Sequence, residues 1–178
     1  MIALYTDRLV IRTIQQNDWS NVLAINSDQT VLTHIRPVTS TADIESTFKQ
    51  RLEPWSYDSG EWLTLIIETI QDKTFVGLTG FYKESDAMNR AEVGYLISPN
   101  QQGLGYGTES LKAVIDWGIH EFNIQKFIGY CAVDNIGSAQ VMRKCGFIQE
   151  GLLRQNHKIG DRQIDEYLFG LLQSDIRI

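Results

Sequence analysis

Apolar and polar side chains alternate at Leu9-Val10-Ile11-Arg12, a period of two that predicts a strand. Asn17-Asp18 then offers an N-cap to a stretch in which Trp19, Val22, Leu23 and Ile25 recur at helical spacing. A second helix is predicted over residues 41–52, with Thr41 and Glu45 near its start and Ile44 and Phe48 setting its apolar face. Pro54 ends it, because proline has no amide hydrogen to donate and crowds the preceding turn. From Glu61 the period returns to two, and residues 62–67, 75–81 and 91–98 predict three strands joined by short polar turns such as Gln71-Asp72-Lys73, an antiparallel meander.

The pattern then breaks at Asn100-Gln101-Gln102-Gly103-Leu104-Gly105-Tyr106-Gly107-Thr108. Beyond it Leu111, Val114, Ile115, Gly118 and Phe122 predict a long helix with one face on the sheet. Residues 126–133, 147–150 and 166–172 follow as strands, with a helix over 138–144 between the first two. No internal repeat is present. The order predicts an α+β domain, a mixed and mostly antiparallel sheet with helices on both faces.

Composition narrows the class. At 178 residues, 43% hydrophobic and 21% charged, the chain is large enough for one sizeable core, so residues 1–178 are expected to form a single domain. The N-terminal residues show no basic start followed by an apolar core, and no window approaches the ~18 apolar residues of a membrane span, which predicts a cytoplasmic protein without membrane contact. Sixteen basic against 22 acidic residues give a net charge of −6 and argue against direct binding of nucleic acid. That acidity suits a cationic substrate or simply solubility. Cys131 and Cys145 lie among apolar neighbours, and His34, His120 and His157 have no shared spacing, so neither a disulfide framework nor a metal is expected.

A strand, then Gly103-x-Gly105-x-Gly107, then a helix is an arrangement that presents backbone N–H groups to a phosphate at the positive end of a helix. A mononucleotide P-loop requires Lys-Ser/Thr after its last glycine, and Thr108-Glu109 stands here instead. A dinucleotide fingerprint requires G-x-G-x-x-G in the first βαβ unit, whereas this segment follows a meander. A pyrophosphate held by a loop in mid-chain remains, beside the alternative of a glycine-rich connection that binds nothing.

The segment resembles the pyrophosphate loop of the GCN5-related N-acetyltransferases, Gln/Arg-x-x-Gly-x-Gly/Ala, through Gln102, Gly105 and Gly107, with Pro99 between strand and loop. Asn135-x-x-Ser138 followed by Lys144-Cys145-Gly146-Phe147 resembles that family's second acetyl-CoA region. The opening Thr-Asp-Arg-Leu-Val-Ile-Arg, the Gly-Tyr-Gly-Thr-Glu run and Glu150-Gly151 are similar to the ribosomal-protein alanine/serine N-acetyltransferase branch. The resemblance implies that family's fold, with the strand over 92–98 splayed from its neighbour around Tyr95-Leu96-Ile97 and acetyl-CoA lying in the gap. It implies cofactor contacts from Leu96, Ile97, Gln102, Gly103, Leu104, Gly105, Tyr106, Gly107, Thr108 and Asn135, with a strand N–H of Leu96 or Ile97 as the oxyanion donor.

Acetyl transfer from a thioester to an amine needs a neutral amine, a stabilised oxyanion and a proton for the departing thiolate. By resemblance, Glu92 is the proton acceptor; the alternative is a carboxylate at a strand end that faces solvent or pairs with Arg90. The tyrosine that many family members use as general acid is replaced by Met142, which has no proton to give. This leaves Ser138, in the first turn of a helix, as the acid or as a helix cap, with Asn135 the competing cap. Cys131, flanked by apolar residues, is disfavoured as a nucleophile. Trp55, Tyr57, Trp62, Glu53 and Asp58 are weaker candidates for the acceptor cleft. The acceptor implied is a protein N-terminal α-amine, ribosomal proteins foremost. The alternatives are a small-molecule amine (a polyamine, an amino acid or an aminoglycoside) and a non-catalytic acyl-CoA sensor. The protein is expected as a monomer or homodimer.

Overall fold

The computed structural model describes residues 2–176. Its strands β1 (Ala3–Tyr5), β2 (Leu9–Thr13), β3 (Leu65–Thr69), β4 (Phe75–Ser85), β5 (Arg90–Ile97), β6 (Lys126–Ala132), β7 (Ile148–Ile159) and β8 (Arg162–Leu172) form one sheet in the order β1-β2-β3-β4-β5-β6-β8-β7. Neighbouring strands are antiparallel except β5 and β6. That parallel pair requires a crossover, which α4 (Tyr106–Phe122) supplies. The other helices are α1 (Trp19–Ser27), α2 (Gln29–Leu32), α3 (Thr41–Leu52) and α5 (Ile136–Lys144). This is the mixed sheet with helices on both faces that the periodicity predicts.

The apolar run Leu65-Ile66-Ile67 is continuous because both of its faces are covered. Leu65 and Ile67 pack with Leu9, Ile11, Phe81 and Val93 beneath Leu111, Val114 and Ile115 of α4. Ile66 and Leu78 turn the other way, onto Val22 and Ile25 of α1 and Phe48 of α3.

Several expectations shift in detail. Asp18 occupies the N-cap position of α1, but its side chain makes no capping bond there. Its buried carboxylate receives Nη1 and Nη2 of Arg12, each at 2.8 Å, and the Gln15 N–H at 2.7 Å. Arg12 also donates through Nε to Glu68 at 3.0 Å, so one guanidinium ties β2, β3 and the entry to α1. Arg12→Ala would strand Asp18 in the core and should cost about 2 kcal/mol, read from the urea midpoint. Helix α3 starts at Thr41 as expected, and the side chain that caps it is Ser40, whose Oγ accepts from Asp43 N–H at 3.2 Å. Trp62 precedes its strand instead of beginning it, and β7 continues to Ile159.

Candidate active site

The sheet opens between β5 and β6. Their ladder spans only Arg90↔Lys126, Ala91↔Phe127 and Glu92↔Ile128, while β4 stays paired with β5 as far as Ile97. From Val93 onward β5 therefore has a bare edge facing β6. A cleft of about 1020 Å³ occupies this opening, lined among others by Glu92, Tyr95, Leu96, Ile97, Ser138 and Asn135.

Strand alternation decides which amides face it. Ser98 N–H donates to Val76 O at 2.9 Å, and Leu96 stands opposite Leu78 in the same phase, so the Leu96 N–H points to β4. The N–H groups of Tyr95 and Ile97 point to the open side. Gln102 Nε2 reaches the Ile97 carbonyl from that side at 3.0 Å. Of the two amides expected as oxyanion donors, geometry thus favours Ile97 and removes Leu96.

The glycine segment closes one end of the cleft. Gly105 stands immediately before α4 at φ +85°, in the left-handed region that glycine adopts freely. The first intrahelical bond returns from Glu109 N–H to Gly105 O at 3.1 Å, so the preceding amides of Tyr106, Gly107 and Thr108 have no helical acceptor. At Gly107 an added Cβ would meet Val141 Cγ2 at 3.4 Å and Ile97 Cγ1 at 3.5 Å, ordinary contacts, so the protein itself leaves room there. Gln102, Gly103, Gly105, Tyr106, Gly107 and Thr108 all line the cleft. Leu104 is not among the lining residues; it is half exposed, and its carbonyl accepts from Arg8 Nη1 at 3.1 Å.

The two faces of β5 present different chemistry through the opening. On the face of α4 and α5, Tyr95 Oη lies 2.8 Å from Ser138 Oγ and donates to the Ser138 carbonyl at 3.1 Å. Asn135 caps α5, with Oδ1 accepting from Ser138 N–H at 3.1 Å. This releases the Ser138 hydroxyl from capping. Met142 is buried and fills the space above Gly129, where a Cβ would stand 2.4 Å from its Cε. The phenol beside Ser138 thus comes from β5, a contribution that sequence spacing does not reveal.

On the opposite face, Glu92 Oε2 accepts from Tyr82 Oη at 3.0 Å, not from Arg90, which is held by Glu84. Burial pushes the Glu92 carboxyl above the usual carboxylate range, the bond from Tyr82 opposes the rise, and Glu84 and Glu166 add to it. Burial next to this carboxylate pushes the Tyr82 phenol up to about 12. Trp62 lies over Gly94 and packs against Tyr82 with ring centroids 4.7 Å apart. Register places Tyr130 and Glu166 on the same face, and Asn156 Nδ2 donates to Glu166 at 2.8 Å. Tyr130, Asn156 and Glu166 carry no motif; pairing across β6, β7 and β8 brings them to Glu92.

Other candidates fall elsewhere. Tyr57 stacks on Phe122 at 4.7 Å and Trp55 meets Phe81 edge-on at 5.9 Å, so both serve the core. Asp58 pairs with Lys83 at 2.5 Å. The Cys131 thiol is buried, which raises its pKa, and is directed at the carbonyls of Ala132 and Asn135 at 3.4 Å. Among the described residues no group of three His, Cys, Asp or Glu side chains could hold a metal, and no helix is long and apolar enough to cross a membrane.

The chain resembles known proteins in sequence and in fold. The chain is 29% identical over 170 residues to the uncharacterized N-acetyltransferase YnaD of Bacillus subtilis, covering 96% of each chain. It is 23% identical to the spermidine N(1)-acetyltransferase of Vibrio cholerae, covering 94% of each. It is 30% identical over 99 residues to the ribosomal-protein-serine acetyltransferase of Escherichia coli, covering 56% of this chain and 55% of that one. A GNAT-family acetyltransferase from Bacillus anthracis superposes with a TM-score of 0.85 at 24% identity, over 97% of this chain and 99% of that one. The spermidine N-acetyltransferase from Vibrio cholerae, solved with CoA and spermine, gives 0.82 at 22% identity, over 96% and 98%. The family model for the acetyltransferase (GNAT) domain matches residues 8–148, a span that holds the glycine segment, the opened β5 edge and both helices facing it. The chain therefore belongs to the GNAT acetyltransferase family and is an N-acetyltransferase.

Proposed function

We propose that the chain, as a single acetyltransferase domain over residues 1–178, transfers acetyl from acetyl-CoA to the N-terminal α-amine of a protein, ribosomal proteins foremost. The donor's thioester supplies the activated acetyl group. The free amides at the start of α4, with Gln102 and Gly103 beside them, are the groups that hold its diphosphate. Asn135 Oδ1 is committed to the cap of α5, so its Nδ2 is the atom left for a pantetheine carbonyl.

The acceptor amine enters from the face of Glu92. Glu92 accepts the amine proton as the C–N bond forms, directly or through one water. The Ile97 N–H, aimed into the opening, stabilises the negative charge on the acetyl oxygen. The C–S bond then breaks, and Ser138 Oγ, held by Tyr95, gives a proton to the sulfur at the positive end of α5. Opposite faces of β5 thus carry the base and the acid, with the opening between them for the reacting atoms.

The α-amine reading rests on the proton each acceptor must lose. Apart from Glu92, the acids lining the cleft are Glu166, which Asn156 engages, and Asp134 in the turn before α5. A polyamine brings further ammonium groups for these carboxylates to pair, and a reacting amine with a lysine-like pKa of about 10.4 that asks for a stronger base. An α-amine, with a pKa of about 7.7–8.0, is partly neutral at pH 7 and asks only for a modest base. A polyamine acceptor is the second reading, favoured by Glu166 itself and by the similarity to a spermidine acetyltransferase. Thiol release with N-terminal peptides and with spermidine distinguishes them.

Ser138→Ala tests the acid. It should lower kcat by about 10-fold with little change in acetyl-CoA affinity, because the hydroxyl's bond strengthens only as charge develops on sulfur. Since Asn135 does the capping, the melting temperature should not fall. An unchanged kcat would assign the proton to water.

A further inference from the structure

The N-terminal turn between β1 and β2 holds the glycine segment from outside. Thr6 Oγ1 donates to Glu109 Oε1 at 2.6 Å, and Arg8 N–H donates to the same oxygen at 3.1 Å. Arg8 Nε reaches Glu109 Oε2 at 2.8 Å, and Nη2 stands 2.6 Å from that oxygen. Nη1 of the same guanidinium donates to the Leu104 carbonyl at 3.1 Å, and its carbon sits 4.5 Å from the centroid of the Tyr106 ring. One side chain therefore binds the loop at Leu104, Tyr106 and Glu109, on both sides of Gly105.

Glu109 poses a problem that these contacts solve. It is an acid in the first turn of the helix whose amides face the diphosphate. Unpaired, its charge would offset the positive helix end and repel a bound anion. Burial pushes its carboxyl up, but the bonds from Thr6 and Arg8 outweigh burial and hold it below the usual range. The carboxylate is thus neutralised by a cation and serves as the anchor through which Arg8 fixes the loop.

We propose that Arg8 is a positioning residue for the donor's diphosphate, acting through Glu109 and Leu104 to hold the amides of residues 106–108 in their binding arrangement. The proposal rests on the reading of the glycine segment as the diphosphate site. Arg8→Ala should raise the calorimetric Kd for CoA about 10-fold, the order of one charge-assisted hydrogen bond. In turnover it should lower the ratio of kcat/KM for acetyl-CoA to kcat/KM for acetyl-pantetheine, which lacks the diphosphate, by about the same factor. In a Glu109→Gln background, where the anchor has lost its charge, Arg8→Ala should cost less than about threefold. An unchanged Kd for CoA, an equal loss with both donors, or the full tenfold loss in the Glu109→Gln background would each overturn the role of Arg8. Failure of the unaltered protein to bind CoA would instead remove the reading of the site itself.

Discussion

Replacing Gly105 with valine should raise the Kd for acetyl-CoA about 100-fold, equivalent to losing two to three hydrogen bonds of ~1 kcal/mol each. Two effects act together. Gly105 sits at φ +85°, where a β-branched residue is strained, so relief of strain turns the following amides away from their common direction. The added side chain also meets Arg8 Nη2 at 3.4 Å on the outer side of the loop, so its further methyl groups press on the guanidinium that binds Leu104, Tyr106 and Glu109. The strain is confined to a surface loop outside both apolar clusters, so the variant should fold. Calorimetry on the folded variant gives the number, and unchanged binding would refute the assignment of the glycine segment to the diphosphate.

Glu92→Gln should lower kcat by about 100-fold or more while leaving the Kd for acetyl-CoA intact. Glutamine can still accept the Tyr82 hydroxyl through its carbonyl oxygen, so the local geometry survives and only the basicity is lost. Glu92 must be ionised to act. Burial raises its pKa, so as pH falls the base becomes protonated sooner than an ordinary glutamate would, and the acid limb of kcat at saturating acceptor should lie above the usual carboxylate range. That limb should vanish in the glutamine variant. A near-normal rate with the same limb would leave Glu92 as a partner of Tyr82 and nothing more.

What the chain discloses by itself follows from how each feature is encoded. Helix α4 and strands β4 and β5 are legible because their apolar residues repeat over many positions. Ala3–Tyr5 and Gln29–Leu32 span three and four residues, too few to establish a period, and neither is foreseen. The glycine segment is legible because a backbone binding site demands particular residues in a row. Ser138 is found through a motif and Glu92 through its place on the strand in the family resemblance, but their partners are not. Tyr82 faces Glu92 through the β4–β5 register, and Tyr95 faces Ser138 across 43 residues of chain. The opening between β5 and β6 leaves no mark on the residues that line it, since its content is unpaired amides. The placement of β8 between β6 and β7 likewise brings Glu166 to the acceptor face without a local signal. Trp55 and Tyr57 show the converse, because aromatic residues near a cleft in sequence are claimed by the core in space.

The measurement that bears most directly on the central reading is CoA thiol release by the purified protein with acetyl-CoA, run in parallel on peptides with free serine or alanine N-termini, the same peptides with blocked N-termini, and spermidine. The predicted result is turnover on the free N-termini, with mass spectrometry placing the acetyl group on the α-nitrogen and kcat/KM at least about tenfold above that for spermidine. Turnover that persists on blocked peptides, or that favours spermidine over every free N-terminus, would contradict it.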